Sequence, residues 1–352
     1  MKKFDRKQVK KHIIIPGLLE IQSNVDKIYT KYGASIDNEL IQFEDNELIL
    51  NYTVLNDFES PTYLNQKYHF FYGKESLDEI YYERPIVGNF KVKLLIKDIK
   101  EESPKMFVNS FYYRYIRFQV ESVYPPYTHL TDIATIKLLE KGYISLHSSA
   151  ISYDNDGILI FAPPDTGKTL TALSSLDFGY KFISEDITIS DGKYIIGCPF
   201  TSTFYHLLNK TDIGWSKYII YNISNKISSA IPILGYFIGS IPKNVFEIIG
   251  EKKIDKKAKI KMICILGKGD QNIKEVDKEE TFLRLSILNR SEFNYYKNPL
   301  LLTYFYFNKD LDLNKLIEKE KEILLNIINR SENYLIKANN PSKYIELIRE
   351  LM

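Results

Sequence analysis

A lysine, a threonine and two adjacent carboxylates carry the chemistry that this sequence suggests. Lys168 and Thr169 are neighbours, and Glu185 and Asp186 follow the lysine by seventeen and eighteen residues. An ammonium group can bind the β- and γ-phosphates of a nucleotide as a point charge, and the adjacent hydroxyl can ligate Mg²⁺. One carboxylate can hold the same metal, and the other can accept a proton from an attacking hydroxyl. The four side chains predict phosphate binding and phosphoryl transfer, although the acidic pair alone would also suit a solvated turn.

The loop that ends in Lys168 follows the pattern G-x-x-x-x-G-K-[ST] from its second position onward, and a plain surface turn is the alternative. Backbone N–H groups between a strand and a helix N-terminus can surround a phosphate, helped by the helix dipole. Ala162 replaces the first glycine and loses easy access to positive φ. Asp165 places a carboxylate in an anion-binding loop, so its side chain must face outward, bind metal or weaken nucleotide binding. The predicted nucleotide-binding residues are Ala162, Pro163, Pro164, Asp165, Thr166, Gly167, Lys168, Thr169 and Leu170.

These groups need strands that end at one edge of a sheet. The apolar run 158–161 predicts a strand before the loop, and residues 170–176 predict a helix after it. Residues 180–184 predict a second strand, which ends at the acidic pair. Ligands collect at the carboxyl ends of strands in open parallel sheets, so we expect the loop and the acidic pair to lie side by side.

His147 follows a further predicted strand, residues 143–146, and precedes Ala162 by fifteen residues. That strand would lead to the same edge of the sheet, where a histidine could orient a carboxylate or bind a phosphate oxygen. A hydrogen-bonded histidine of the core is the alternative. His147 is therefore a candidate for the catalytic site, together with Glu185 and Lys168.

The order of these features resembles the catalytic domain of the HPr kinase/phosphorylase family, whose P-loop core is shared with phosphoenolpyruvate carboxykinases. The resemblance spans about residues 127–205 and includes His147-Ser148, Gly157, the loop, Gly179 and the acidic pair, in the family's order and spacing. It implies an ATP- or GTP-dependent, Mg²⁺-requiring kinase whose acceptor is a hydroxyl group, foremost a serine of a peptide or small protein.

The resemblance also implies roles for single residues. Lys168 and Thr169 would bind the phosphates and Mg²⁺, and Asp186 would assist the metal. Glu185 would act as the base toward the acceptor hydroxyl, with His147 supporting that base.

Three positions depart from the family's pattern: Ala162 for glycine, Pro164-Asp165 for Ser-Gly, and Glu185 for the first aspartate. The longer carboxylate moves the base by about one methylene, and a misplacement of that size can cost a large rate factor. A catalytically impaired nucleotide-binding sensor or scaffold with the same fold is therefore the alternative function. Carboxykinase chemistry would need further arginines and a lysine/histidine metal pair, which the sequence does not locate. The loop is also similar to that of AAA+ ATPases, but their later aliphatic run ending in Asp-Glu is missing.

Composition and charge argue against several other classes of protein. The chain has 352 residues and a net charge of +2, which gives no argument for nucleic acid or an acidic membrane. Cys198 and Cys264 form neither a disulfide framework nor a metal motif, which suits a reducing cytosol. The longest apolar stretch, 231–241, is interrupted by proline and glycine and is too short to span a bilayer. We expect a cytoplasmic protein without membrane or nucleic-acid partners, and the sequence leaves a homo-oligomer open.

The sequence predicts three regions and a fold of the α+β or α/β class. Residues 1–125 form a β-rich lobe for substrate recognition or regulation, whose strand edge could capture a peptide acceptor by β-addition. Residues 126–305 form a mixed-sheet P-loop core of the HPr-kinase and carboxykinase kind, and residues 306–352 form C-terminal helices. The strands predicted in the first region are Leu40–Phe43, Leu48–Val54, Tyr68–Tyr72, Phe90–Ile96 and Tyr112–Val120.

Further elements are expected around the loop and the acidic pair. A helix is predicted at Asp132–Lys141, a hairpin at 184–196 with its turn at Asp191-Gly192, and a core strand at 262–266. From Asp312 to the end the pattern is helical. Three cations, Lys268, Arg284 and Arg290, could stabilise a transferring phosphoryl group or could simply be solvated or salt-bridged.

Overall fold

The computed structural model describes residues 9–34, 46–117, 119, 123–198, 200–201 and 243–352, and the predicted strand Leu40–Phe43 lies outside them. The chain divides into two compact units. The first consists of the described parts of Met1–Lys141 and Asn294–Lys319, and the second of those of Gly142–Phe293 and Glu320–Met352.

The strands are β1 Lys10–Ile15, β2 Leu19–Ser23, β3 Tyr29–Thr30, β4 Gly33–Ala34, β5 Leu48–Leu55, β6 Gln66–Tyr68, β7 Phe71–Gly73, β8 Glu79–Val87, β9 Phe90–Lys97, β10 Lys105–Asn109, β11 Ile144–His147, β12 Ser149–Tyr153, β13 Asp156–Phe161, β14 Lys181–Ser184, β15 Ile187–Ser190, β16 Tyr194–Gly197, β17 Phe200–Thr201, β18 Lys243–Asn244, β19 Lys257–Gly267, β20 Asn272–Glu275 and β21 Glu332–Lys337. The helices are α1 Ser110–Tyr115, α2 Pro126–Glu140, α3 Lys168–Ser174, α4 Val245–Ile249, α5 Lys278–Glu292, α6 Pro299–Phe307, α7 Leu313–Arg330 and α8 Lys343–Arg349, with 3₁₀ turns at Ser175–Phe178, Glu251–Lys253 and Tyr295–Lys297. None of the helices described is long and apolar enough to cross a bilayer.

In its described part, the first unit is built on an eight-stranded mixed sheet with the order β1-β2-β5-β10-β9-β8-β7-β6. β5 is parallel to both of its neighbours, and the remaining neighbouring pairs are antiparallel. The alternating burial of β5 follows its alternating apolar sequence, as expected of a strand with one face in the core. The strands predicted at 48–54 and 90–96 are confirmed.

The predicted strand Tyr112–Val120 is wrong in the part that the structure describes, because Ser110–Tyr115 is a helix. The aromatic run favours a strand by propensity. However, the side chain of Asn109 accepts a hydrogen bond from the backbone N–H of Tyr112, at 3.2 Å, and so caps the helix. The Tyr112 ring is buried and its hydroxyl donates to the backbone carbonyl of Tyr124. The predicted strand Tyr68–Tyr72 is divided into β6 and β7 by a turn at His69, whose φ is +57°.

The compact units differ from the predicted domains in three places: α2 and α6 fall in the first unit, and residues 320–352 fall in the second. Helix α2 packs against β3 and β5, and α6 packs against β7 and β8, so both belong with the N-terminal sheet. Helix α2 begins six residues earlier than predicted because Pro126 suits the first helical turn, where its missing N–H is not needed.

A buried polar network joins α2 to the start of α6. The Asn298 amide donates hydrogen bonds to Asp132 Oδ2 at 2.7 Å and to His129 Nδ1 at 3.0 Å. Burial raises the pKa of Asp132 to about 7 and lowers the pKa of His129 to about 3. Between about pH 3 and about pH 7, the His129 imidazole and the Asp132 carboxyl group are both neutral, so the network is buried without a net charge.

Replacing Asp132 with asparagine is expected to stabilise the protein at high pH. The carboxyl ionises near its ordinary pKa of 3.8 in the unfolded chain but only near 7 in the folded one. Its contribution therefore falls as the pH rises from about 4 to about 7 and stays low above that. Asp132→Asn should raise the free energy of unfolding by roughly 1–4 kcal/mol at pH 8, and less as the pH approaches 4. Urea unfolding at several pH values measures this. Asp310→Asn, at an exposed ion pair, is the control, and equal pH profiles for the two variants would contradict the prediction.

The second unit is built on a nine-stranded mixed sheet. Its main order is β11-β15-β16-β19-β13-β12-β14, and β21 pairs with the C-terminal half of β19 and with β20. The strands β13, β19 and β21 are mutually parallel, so their carboxyl ends lie at one edge of the sheet. The predicted hairpin is confirmed by β15 and β16, and the predicted core strand at 262–266 lies within the longer β19.

The helical prediction for the end of the chain is wrong at residues 332–337, which form β21. Ser331 donates to the carbonyl of Ile327 at 2.9 Å, and the Asn333 amide donates to that of Ile328 at 3.3 Å. These bonds satisfy the last carbonyls of α7 and end the helix. Residues 332–337 then pair with β19 as strand β21, in which Ile336 is fully buried. Helices α3 and α8 pack together against this part of the core.

Candidate functional site

The predicted site residues meet at one edge of the second sheet. Strand β12 is antiparallel to both β13 and β14, so these two strands run in the same direction and end together. The loop leaves β13 there, and Glu185-Asp186 leave β14. His147, the last residue of β11, pairs in register with Ile187, directly after the acidic pair. The structure thus brings Lys168, the carboxylates and the histidine to the same place.

The loop between β13 and α3 explains two of its unusual residues. Ala162 is fully buried in the core and does not adopt positive φ, so this position does not need a glycine. Asp165 has φ +58° and is exposed, as are Pro163 and Pro164. Aspartate tolerates this left-handed conformation better than most residues. Its carboxylate therefore faces outward, which was the first of the three alternatives raised by the sequence.

Gly167 ends the loop in a conformation that other residues rarely adopt. Its φ is +116°, and a Cβ atom built on it would lie 2.6 Å from Cβ of Pro341, which precedes α8. Its carbonyl accepts hydrogen bonds from the N–H and the hydroxyl of Thr171, both at 2.9 Å. Thr166 before it is buried, and Leu170 after it is half-buried. The loop therefore depends on a glycine at position 167.

Gly167→Ala is expected to lower the free energy of unfolding by about 1–3 kcal/mol, since it adds a clash to an unfavourable φ. Gly179→Ala is the matched control, because Gly179 has φ +84° but no atom within 4 Å of an added Cβ. Denaturant unfolding measures both variants. A Gly167 variant no less stable than the Gly179 variant would show that the contact with Pro341 does not constrain the loop.

Lys168 is the cationic centre of the site. Its Nζ lies 3.2 Å from Oδ1 of Asp186. Burial lowers the pKa of Lys168, and the nearby carboxylates of Asp186, Glu185 and Glu292 oppose that effect. Three carboxylates therefore act on a single ammonium group.

The two members of the acidic pair differ in exposure and in their contacts. Glu185 is buried, and its Oε1 accepts a hydrogen bond from the Thr169 hydroxyl at 3.3 Å. Its backbone carbonyl accepts a hydrogen bond from the Ser149 hydroxyl, which fixes the end of β14 against the start of β12. The Asp186 side chain is 57% exposed. A buried carboxylate and an exposed one thus lie side by side.

His147 lies between two carboxylates. Its Nε2 is 3.7 Å from Oδ1 of Asp186, and its Nδ1 is 3.5 Å from Oε2 of Glu292. Its backbone N–H donates to Oδ1 of Asn289 at 2.9 Å. Sequence reasoning missed Asn289 and Glu292, both on α5. Asp277 caps the N-terminus of α5 and indicates where this helix begins. No local sequence pattern indicates which residues the last turn of α5 contacts.

The oxygen atoms of this site suit a hard divalent cation. Hydroxyl and carboxylate oxygens are the ligands that Mg²⁺ prefers, and the site has more carboxylates than cations. Within the residues described, no three His, Cys, Asp or Glu side chains form a complete metal centre. This arrangement fits a metal that one or two carboxylates hold together with substrate phosphates and water.

The three cations that the sequence offered for stabilising a phosphoryl group differ in their contacts. Arg284 donates two hydrogen bonds to Oε1 of Glu280 on its own helix, one from Nε at 2.8 Å and one from Nη2 at 2.5 Å. Lys268 and Arg290 are exposed. The salt-bridged alternative therefore describes Arg284.

Comparison with known proteins gives little further guidance. No protein-family model matches the chain, and no curated protein matches it. Among solved structures, the chain is similar to the Hpr(Ser) kinase/phosphatase from Coxiella burnetii, with 11% sequence identity and a TM-score of 0.21. The match covers 38% of this chain and 77% of the other one. A TM-score this low does not establish a common fold.

Proposed function

We propose that this protein is an ATP- or GTP-dependent, Mg²⁺-requiring kinase that transfers the γ-phosphoryl group to a hydroxyl acceptor. The observation that carries the proposal is the meeting of Lys168, Thr169, Glu185 and Asp186 at the carboxyl ends of β13 and β14. A loop lysine and hydroxyl placed against two carboxylates at one sheet edge is the arrangement that phosphoryl transfer requires.

Each side chain has a role that follows from its surroundings. Lys168 binds phosphate oxygens once its contact with Asp186 is exchanged for the ligand. Thr169 and Asp186 would hold Mg²⁺, which when bound neutralises charge on the transferring phosphoryl group. Glu185 accepts the proton of the acceptor hydroxyl at its carboxylate, and burial keeps water from competing for that position. His147, whose Nε2 lies 3.7 Å from Oδ1 of Asp186, would support the base.

The acceptor is proposed to be a serine of a peptide or small protein. The first unit supports this because it is built on a sheet whose outer strands, among the residues described, are β1 and β6. An extended peptide can add to an outer strand through main-chain hydrogen bonds, with side-chain pockets giving specificity.

A nucleotide-binding sensor without catalysis is the second candidate. The contact between Lys168 and Asp186 favours it, because an ammonium group held by a carboxylate has to be released before it can bind phosphate.

Calorimetry and a transfer assay separate the two candidates. The kinase proposal expects ATP or GTP binding that strengthens with Mg²⁺, followed by transfer of radiolabel from the γ-position to a serine in a library of peptides and small proteins. Binding without transfer to any hydroxyl acceptor would favour the sensor. No binding of either nucleotide would contradict both candidates.

A further inference from the structure

The last turn of helix α5 fixes the backbone of His147. Asn289 is buried, and its Oδ1 accepts the hydrogen bond from the backbone N–H of His147 at 2.9 Å. The Nδ2 group of Asn289 donates to Oε1 of Glu320 at 3.4 Å. The amide is therefore held from both sides, and the histidine it contacts cannot shift along the strand without breaking a buried hydrogen bond.

Glu292 approaches the histidine ring from the same helix. It lies three residues after Asn289, so both side chains are on one face of α5. Its Oε2 is 3.5 Å from Nδ1 of His147. That nitrogen is buried and makes no hydrogen bond to any of the residues described. An unsatisfied buried nitrogen is unfavourable, and a small approach of the carboxylate would complete the bond.

A hydrogen bond at one ring nitrogen of His147 also fixes the direction of the other nitrogen, because the imidazole ring is rigid and planar. With Nδ1 toward Glu292, Nε2 faces Oδ1 of Asp186 at 3.7 Å. The same oxygen lies 3.2 Å from Nζ of Lys168. The contacts thus form a continuous series from the end of α5 to the lysine of the phosphate-binding loop.

We propose that Glu292 is a positioning residue, which holds the His147 ring so that Nε2 faces Asp186 and Lys168. It would touch neither the nucleotide nor the acceptor. It acts through the histidine ring, in addition to its coulombic effect on Lys168. Its effect on rate rests on the proposed kinase function, whereas its effect on the ring does not.

Two substitutions and one control test the effect on rate. Glu292→Ala removes the carboxylate and is expected to lower kcat by about 10- to 100-fold, as loss of an outer-shell partner commonly does, with little change in the KM for ATP. Glu292→Gln keeps an oxygen that can accept from Nδ1 and is expected to recover most of that loss. Glu279→Gln removes one charge from the exposed start of the same helix and should behave like the unmodified protein. A purely structural ion pair would lower stability in the Glu292 variants and leave kcat unchanged.

The orientation of the ring can be read without turnover. The chain has five histidines, so ¹⁵N-histidine labelling gives a simple spectrum in which His147→Gln identifies the relevant ring. Glu292→Ala is expected to shift the ring nitrogen signals of His147 and no others, while Glu279→Gln shifts none. Thermal unfolding checks that each variant is folded. If the alanine variant is not, Glu292→Met, which keeps most of the side-chain volume but removes the carboxylate, takes its place.

The outcomes distinguish this proposal from the kinase function. Unchanged His147 signals, or a kcat equal to that of the unmodified protein in Glu292→Ala, would overturn the positioning role. Failure of the unmodified protein to phosphorylate any hydroxyl would overturn the kinase function instead, and the nitrogen signals would still decide the orientation of the ring.

Discussion

Lys168→Ala is expected to reduce phosphoryl transfer by at least about 10²–10³-fold and to weaken nucleotide binding. Charged groups held in place before reaction contribute rate factors of this size when they stabilise developing charge. The Lys168 side chain is only 10% exposed and already lies among carboxylates, so it need not be ordered at the moment of reaction. Lys168→Arg should also be impaired, since a planar guanidinium group is not a substitute for a compact ammonium group at a buried position.

Lys181→Ala is the control for that experiment. Lys181 lies on the neighbouring strand β14, its side chain is about half exposed, and it binds Asp255 at 2.8 Å. Its loss should leave transfer and nucleotide affinity unchanged. Steady-state kinetics and calorimetry measure all three variants. Transfer by Lys168→Ala at the rate of the unmodified protein would mean that this loop does not bind the phosphates.

Glu185→Gln is expected to lower kcat by about 10²–10⁴-fold, the usual contribution of a general base. Glutamine has nearly the same shape and can still accept the hydrogen bond from Thr169, so nucleotide affinity should change little. The expected result is a fall in kcat with an almost constant dissociation constant for ATP. Single-turnover kinetics with a phosphorylated acceptor peptide as readout would measure it.

Glu185→Asp tests whether the site is built around the longer carboxylate. Shortening the side chain by one methylene should cost roughly 10²-fold if Glu185 is the base, since a misplacement of about 1 Å has effects of that order. Glu275→Gln, on the exposed strand β20, is the control. If Glu185→Gln keeps full activity while Asp186→Asn loses it, the base has to be assigned to Asp186.

Much of the site could be predicted from the sequence because its parts are local. The strand before the loop, the helix after it and the hairpin that follows the acidic pair all extend over short stretches with clear apolar patterns and turn residues. Their spacing also indicated that Lys168 and the acidic pair would share one sheet edge. The structure brings them there through β12, which pairs with both strands.

Local patterns failed where a helix cap or a tertiary contact decided the outcome. The aromatic run after Asn109 suited a strand but forms a helix, because the asparagine caps it and Tyr112 is buried. The segment 332–337 continued a helical pattern but forms β21, because it pairs in parallel with the C-terminal half of β19. In both cases tertiary packing outweighed a weak local preference.

The sequence by itself determined which residues could bind phosphate and metal, since that depends on side-chain chemistry and on spacings of a few turns or strands. Only the tertiary structure decided what supports them. Pro341 packs against Gly167, and Asn289 contacts His147 from 142 positions away. Contacts between residues so far apart leave no periodic pattern in the chain, because they arise only when the core has been packed and its buried polar groups have found partners.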